Sequence, residues 1–562
     1  MRMINPSHPW LASYDDAVNW AMDLTPQPVF AMLDSTVRLY GDRPAFDFLG
    51  KKYTWAQIGD LVNRFAHGLQ AMGIGPGVHV GLFLPNTPYF LIAYYGVLKT
   101  GATVVNFNPL YAERELIHQI TDSETDYLVT ADLNLLYGKA LKMLESSRLK
   151  KLIMCRFADV LPFPQNVLFP IFKRADQARV TYSERIIGFE KLIDNPGTLK
   201  PLAVDPVNDI AVLQYTGGTT GVPKGAMLTH ANIWANTHQA VAWFPGVPSG
   251  AHKMLGVLPF FHVFAMTAVM NFSVLKGLEI IALPRFDLKQ ALKVIHTKRP
   301  HFLPAVPAIF NAINNEPTLK KYDLSSLKYC ISGGAPLPVQ VKKSFEANTG
   351  CIVVEGYGLT ESSPVACINP VTHENKPGSI GLPIPGTVVE IINPDDKITP
   401  VPVGERGELT IRGPQVMKGY WKKPAETAGV IRDGRLHTGD IAIMDEAGYF
   451  FIVDRLKDMI ITNGYNVYPR NVEEAIYQHP AIEECIVAGL PDEQRGELVK
   501  AWIKLKPGQS LSAEALTQFL ADKISKMEIP KIVEFRDKPL PKTMIGKLSR
   551  KDVLAEEKTK KS

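Results

Sequence analysis

Tyr215-Thr216-Gly217-Gly218-Thr219-Thr220-Gly221-Val222-Pro223-Lys224-Gly225 follows the apolar run Ile210-Ala211-Val212-Leu213, so a strand delivers the chain into a glycine-rich loop. Closely spaced glycines let backbone N–H groups approach an anion, and the threonine hydroxyls and Lys224 add donors and positive charge. A plain turn needs the glycines alone. The loop is not a Walker A motif, because no Gly-Lys-Ser/Thr stands at the required spacing. A strand running into a phosphate-handling loop predicts an α/β fold.

The residues before it agree. Apolar positions Ile58, Leu61, Val62, Phe65 and Leu69 recur at helical spacing between Thr54 and Met72, and Gly73 follows as a stop. Val78 to Leu84 reads as a buried strand, Leu91 to Leu98 as a helix and Thr103-Val104-Val105 as a strand. Leu116 to Ile120 and Tyr127-Leu128-Val129 repeat the alternation, which predicts parallel strands with helical crossovers. Phe157 to Val180 departs from it. Apolar side chains there are interleaved with prolines and followed by Lys173 and Arg174, a composition that suits either a packed surface excursion or a membrane surface. Beyond Asp454-Arg455-Leu456-Lys457-Asp458 a smaller α/β unit begins. It begins with Met459-Ile460-Ile461 and Val472 to Tyr477, and holds a strand at Ala501 to Leu505 and an amphipathic helix from Ala513 to Ile524 behind Ser512 as N-cap. The charged end, Glu556 to Ser562, is expected to be disordered.

Composition narrows the function. A chain of 562 residues exceeds one ordinary domain, and a formal charge of +5 gives no concentrated basic footprint for nucleic acid. The five cysteines form no Cys-x-x-Cys, which argues against zinc and disulfides and suits a reducing cytoplasm. No apolar signal core stands near the first residue, and Gly-x-Ser-x-Gly is absent. Leu255 to Leu275 carries no charge and is long enough to span a bilayer. Pro259, His262, Asn271 and Ser273 interrupt it, so a strand followed by a helix is expected instead.

Further stretches carry chemistry only in context. Ser332-Gly333-Gly334-Ala335-Pro336 and Glu355-Gly356-Tyr357-Gly358-Leu359-Thr360-Glu361 each read alone as turns. Asp440, in His437-Thr438-Gly439-Asp440, would ordinarily be a solvated loop acid. His262, in Leu258-Pro259-Phe260-Phe261-His262-Val263-Phe264, would be a satisfied core residue. Lys547, in Pro541 to Arg550, would be one surface lysine among several.

Taken together and in this order, these stretches resemble the adenylate-forming enzymes: acyl-CoA synthetases, luciferases and peptide-synthetase adenylation domains. The resemblance covers essentially the whole chain and is nearest to bacterial medium- and long-chain fatty acid–CoA ligases. Asp433 to Ile460 is similar to the fatty acyl-CoA synthetase signature but has Arg435-Leu436 where Trp-Phe is common. The resemblance implies a large N-terminal AMP- and acyl-binding domain of several α/β subdomains, residues 1–454, and a small mobile C-terminal α/β lid, residues 455–562.

It also implies roles. Thr216, Gly217, Gly218, Thr219, Thr220, Gly221 and Lys224 would hold the phosphates of ATP, with Thr216 and Glu361 reaching magnesium. Gly333, Gly334 and Ala335 would leave room for adenine, Tyr357 between Gly356 and Gly358 would stack on it, and Thr360 would touch phosphate. Asp440 and Arg455 would take the ribose, and His262 would stand beside the substrate carboxylate. Lys547 would be catalytic, Lys457 the hinge, and Gly464 would border the coenzyme A passage. The implied activity joins a fatty acid, long-chain favoured, to coenzyme A through an acyl-adenylate. Transfer to a carrier protein and dicarboxylic or aromatic acids are the alternatives. A homodimer and peripheral contact with the inner membrane stay open.

Overall fold

The computed structural model describes residues 8–216, 223–455, 458–462, 465–492, 495–543 and 546–561. Thr54 caps the helix Trp55–Ala71 by accepting from the Gln57 amide, and Gln57 returns the bond, so the first predicted helix begins in a capping box. Pro88–Lys99 is apolar on every side and buried all along except at Lys99, as expected of a helix enclosed by other elements. The predicted strands are His79–Phe83, Thr103–Asn106, Tyr127–Ala131 and Ile210–Thr216.

Those strands lie in an eight-stranded sheet, in the order 419–420, 224–229, 210–216, 103–106, 79–83, 127–131, 151–155, 186–188. Pairing is parallel from 210–216 through to 186–188, and the strand Lys224–Thr229 turns back antiparallel. A nine-stranded sheet runs 382–383, 365–368, 352–358, 329–332, 302–305, 253–256, 279–282, 44–48, 51–54. Helices including Phe30–Tyr40, Pro88–Lys99 and Phe272–Lys276 pack between these elements, and one continuous apolar core joins both sheets. In a third sheet the strand Arg435–Met444 pairs with Gly407–Arg412 and Phe450–Arg455.

The uncharged stretch at 255–275 is a strand, Lys253–Gly256, followed by the turns Val263–Ala265, Met266–Asn271 and Phe272–Lys276, the middle one a π-helix. Among the described residues no helix is long and apolar enough to cross a membrane. All five cysteines are free and buried.

From Ile460 onward the chain forms its own five-stranded sheet, in the order 465–467, 460–462, 496–505, 482–492, with 532–535 beside 496–505. Its separate core gathers Ile460, Val472, Ile476, Val487 and Leu516. Ser512 caps the helix Ala513–Leu520 as its sequence predicts, although the helix ends at Leu520, short of the expected Ile524. The expectation of a disordered end is wrong. Arg550–Lys561 is a helix held by buried Val553 and by ion pairs from Lys500 to Glu557 at 2.8 Å and from Arg536 to Glu556 at 2.6 Å. Charge density that looks like a solvated tail is matched by partners on neighbouring strands.

Candidate active site

Register brings the first pair of predicted residues together. Thr216 ends its strand directly opposite Lys224 on the returning strand. The Lys224 ammonium stands 5.1 Å over the ring of Tyr420, and the Tyr420 hydroxyl donates to Glu361 Oε1 at 2.6 Å. Burial, and then the Glu361 charge, push the Tyr420 hydroxyl far above its usual pKa, so it remains a donor. The turn Thr360–Ser362 packs on both strands, which sets Thr360 and Glu361 beside the loop mouth. Carboxylate and hydroxyl oxygens from Glu361 and Thr216 are the hard donors a magnesium ion takes, and Glu361 Oε2 has no partner among the described residues.

A second group forms where the nine-stranded sheet meets the third. Strand Ile352–Gly358 carries Gly356, Tyr357 and Gly358. A Cβ on Gly358 would lie 1.9 Å from the Pro364 carbonyl oxygen, so the turn admits no side chain there. Tyr357 donates to Asp440 Oδ2 at 2.5 Å, and Arg455 Nε lies 3.0 Å from Asp440 Oδ1. Asp440 and Arg455 are register partners on adjacent strands. Buried Glu408 fixes the loop before Asp440, bonding His437 Nδ1 at 3.0 Å and accepting from the Gly439 amide at 3.1 Å. One face of Asp440 is thus furnished with a ring and the other with a guanidinium.

Lys547 reaches this same group from the C-terminal unit. Its loop is closed by Thr543 N–H donating to the Lys547 carbonyl at 2.6 Å and by the Gly546 amide donating to Thr543 at 2.8 Å. Burial chiefly, and then the neighbouring Arg455 charge, lower the ammonium pKa to about 8, with Asp440 opposing. Arg550, three residues on, anchors the loop through Glu473 at 2.7 Å and Asp458 at 3.4 Å. Glu355 is buried and its carboxyl is raised to about 7 by burial. It faces Arg470 at 4.0 Å and accepts from the Leu337 amide at 3.1 Å, linking the C-terminal helix Pro469–Tyr477 to the loop holding Gly333, Gly334 and Ala335.

His262 caps the turn Val263–Ala265, its Nδ1 accepting from the Phe264 amide at 3.2 Å, and burial lowers its pKa to about 4. It is therefore neutral at physiological pH with Nε2–H as its donor, and its hydrogen bond stays within its own turn, apart from the Asp440 group. Phe264 lies against Gly333, where a Cβ would come within 3.0 Å of the ring. Gly217, Gly218, Thr219, Thr220, Gly221, Lys457 and Gly464 lie outside the described residues. Tyr420, Arg470 and Arg550 join the site without having been singled out in the sequence. No local pattern marks them, since each acts on a partner at least 59 positions away.

Residues 33–421 match the family described as AMP-binding enzyme, and residues 471–547 match the AMP-binding enzyme C-terminal domain. A long-chain-fatty-acid–CoA ligase of Bacillus subtilis (strain 168) is 46% identical, with 98% of each chain covered. One from Yersinia pestis is 38% identical, with 94% of each covered. ATP-bound MatB from Rhodopseudomonas palustris superposes with a TM-score of 0.83 at 27% identity, covering 95% of this chain and 99% of that one. With both family segments in order and a relative this similar along its whole length, the chain belongs to the AMP-binding enzymes, the adenylate-forming family that includes fatty acid–CoA ligases.

Proposed function

We propose that this protein is an AMP-forming fatty acid–CoA ligase acting on medium- to long-chain acids, long chains preferred. Convergence of Lys547, Asp440, Arg455 and Tyr357 is the observation that carries the chemistry, and likeness to the Bacillus ligase carries the choice of acid. Asp440 and Arg455 take the ribose hydroxyls, Tyr357 stacks on adenine beside Gly333, Gly334 and Ala335, and Lys224 with the 216–221 loop takes the β- and γ-phosphates. Glu361 and Thr216 would hold magnesium, which supplies charge neutralisation on the phosphates when bound.

The carboxylate oxygen attacks the α-phosphorus, forming the acyl-phosphate bond while the bond to pyrophosphate breaks. The Lys547 ammonium sits where negative charge gathers on the α-phosphate oxygens, and positioning does most of the rest. His262 offers its Nε2–H to the carboxylate. In the second step the coenzyme A sulfur attacks the acyl carbonyl, its proton goes to solvent, and AMP leaves with the electron pair. Residues 455–562 act as a lid that turns about Lys457 between the steps, removing Lys547 and bringing Gly464 to the pantetheine passage.

A panel of acids from short to long chain, with ATP, magnesium and coenzyme A, tests the reading. AMP and acyl-CoA should form in equal amounts, with the highest kcat/KM at long chain length. ADP as product, or adenylate formation that coenzyme A does not discharge, would refute it, the latter in favour of a carrier-protein acceptor.

A further inference from the structure

Large apolar side chains left in solvent gather at one place on this molecule. Phe163 is 82% exposed, Phe172 77% and Ile171 63%, with Val167 and Leu168 exposed beside them. On the helix Gln165–Phe172, Val167 and Ile171 stand four residues apart, as do Leu168 and Phe172, so both pairs share one side. No residue of this helix is buried. Phe169 turns the other way, 5.2 Å from the ring of Phe157, which itself packs edge-on to Phe48 at 5.9 Å. The helix is therefore fastened to the body through Phe169 while five large side chains stand outward.

Charge accompanies the patch. Lys173, Arg174 and Arg179 are exposed, and Asp176 is the one acid in residues 163–182, leaving three cations against one anion. Position adds a third observation. Strand 151–155, which leads into this segment, runs parallel through the sheet to strand 210–216, so the segment begins at the same end of the sheet as Thr216.

We propose that residues 163–182 seat the protein on an anionic lipid surface, the apolar side chains entering the headgroup boundary and Lys173, Arg174 and Arg179 meeting lipid phosphates. An apolar helix face rimmed by cations is the composition such a surface selects. A second copy of the chain fits less well. A two-fold contact through this patch would bring the same cations face to face, and five such side chains offer on the order of 500 Å2, short of the ~800 Å2 per partner of a stable interface. The proposal is independent of which acid the enzyme activates.

Sedimentation of the full-length protein with vesicles tests it. Wild type should bind vesicles of mixed phosphatidylcholine and phosphatidylglycerol, and less at high ionic strength. Phe163→Ser with Phe172→Ser should weaken that binding by about tenfold or more. Lys173→Glu with Arg174→Glu should reduce it to the level seen with phosphatidylcholine alone. ATP–pyrophosphate exchange with a water-soluble acid should be unchanged in both variants, which also reports that they are folded; should the phenylalanine pair fail to fold, the charge pair carries the test. Absence of binding by wild type, equal binding by the folded variants, or a wild-type dimer that the phenylalanine variant turns into a monomer would overturn the proposal.

Discussion

Lys547 is a cation whose charge is lost nearer to neutrality than that of an ordinary lysine. Burial and Arg455 bring its pKa from 10.5 to about 8, so the free enzyme holds the protonated form below that pH and loses it above. In the proposed role the ammonium is the form that stabilises the transition state, so kcat/KM for ATP–pyrophosphate exchange should fall as pH rises through about 8. Lys547→Arg should keep some activity and lose that alkaline limb, because its charge persists. Lys547→Ala should cost ~10²–10³ in the exchange rate, by analogy with removal of one stabilising donor. Sequence made Lys547, Asp440 and Glu361 legible because each stands in a short ordered motif. Tyr420 was invisible, since its meaning lies in joining Lys224 to Glu361 across three separate strands and turns.

Elements were most legible where the pattern was long. The helix Trp55–Ala71 and the strands of the parallel sheet follow from periodicity within a few residues. The helix Arg550–Lys561 escaped, because its partners Lys500 and Glu534 sit on strands, and Arg536 just past one, that the tail's own composition does not announce. At this scale the helix Pro469–Tyr477 matters most, since its Arg470 is what buried Glu355 faces across the contact between the C-terminal unit and the strand Ile352–Gly358. Arg470→Ala removes the facing cation while the Leu337 amide bond remains, raising the carboxyl pKa further above about 7 and weakening docking by on the order of 1 kcal/mol, the scale of an ion pair. The expected outcome is a fall of about tenfold in pyrophosphate exchange. Thioester formation from supplied acyl-adenylate should change much less. Equal loss in both assays would show that Arg470 serves folding alone.

For the whole molecule, the order of motifs announced two units, while the contact between them came only from packing. Asn311 Nδ2 donates to the Glu483 carbonyl at 3.1 Å, joining the large unit to the small one near Gly546, where a Cβ would come within 3.2 Å of Val306. If the lid must turn between steps, bridging Asn311→Cys to Glu483→Cys with a short bismaleimide should leave pyrophosphate exchange intact and stop acyl-CoA formation. The native thiols are all buried, so the reagent addresses the new pair. Continued acyl-CoA turnover by the bridged protein would rule out the rotation.

The ring of Phe264 pressed on Gly333 has a last consequence. With adenine beside Gly333 and the acid beside His262, as proposed, one side chain's thickness would divide acid from nucleotide, so neither compartment could be remodelled in private. Directed evolution toward bulkier acids through this position would then meet a trade-off with ATP.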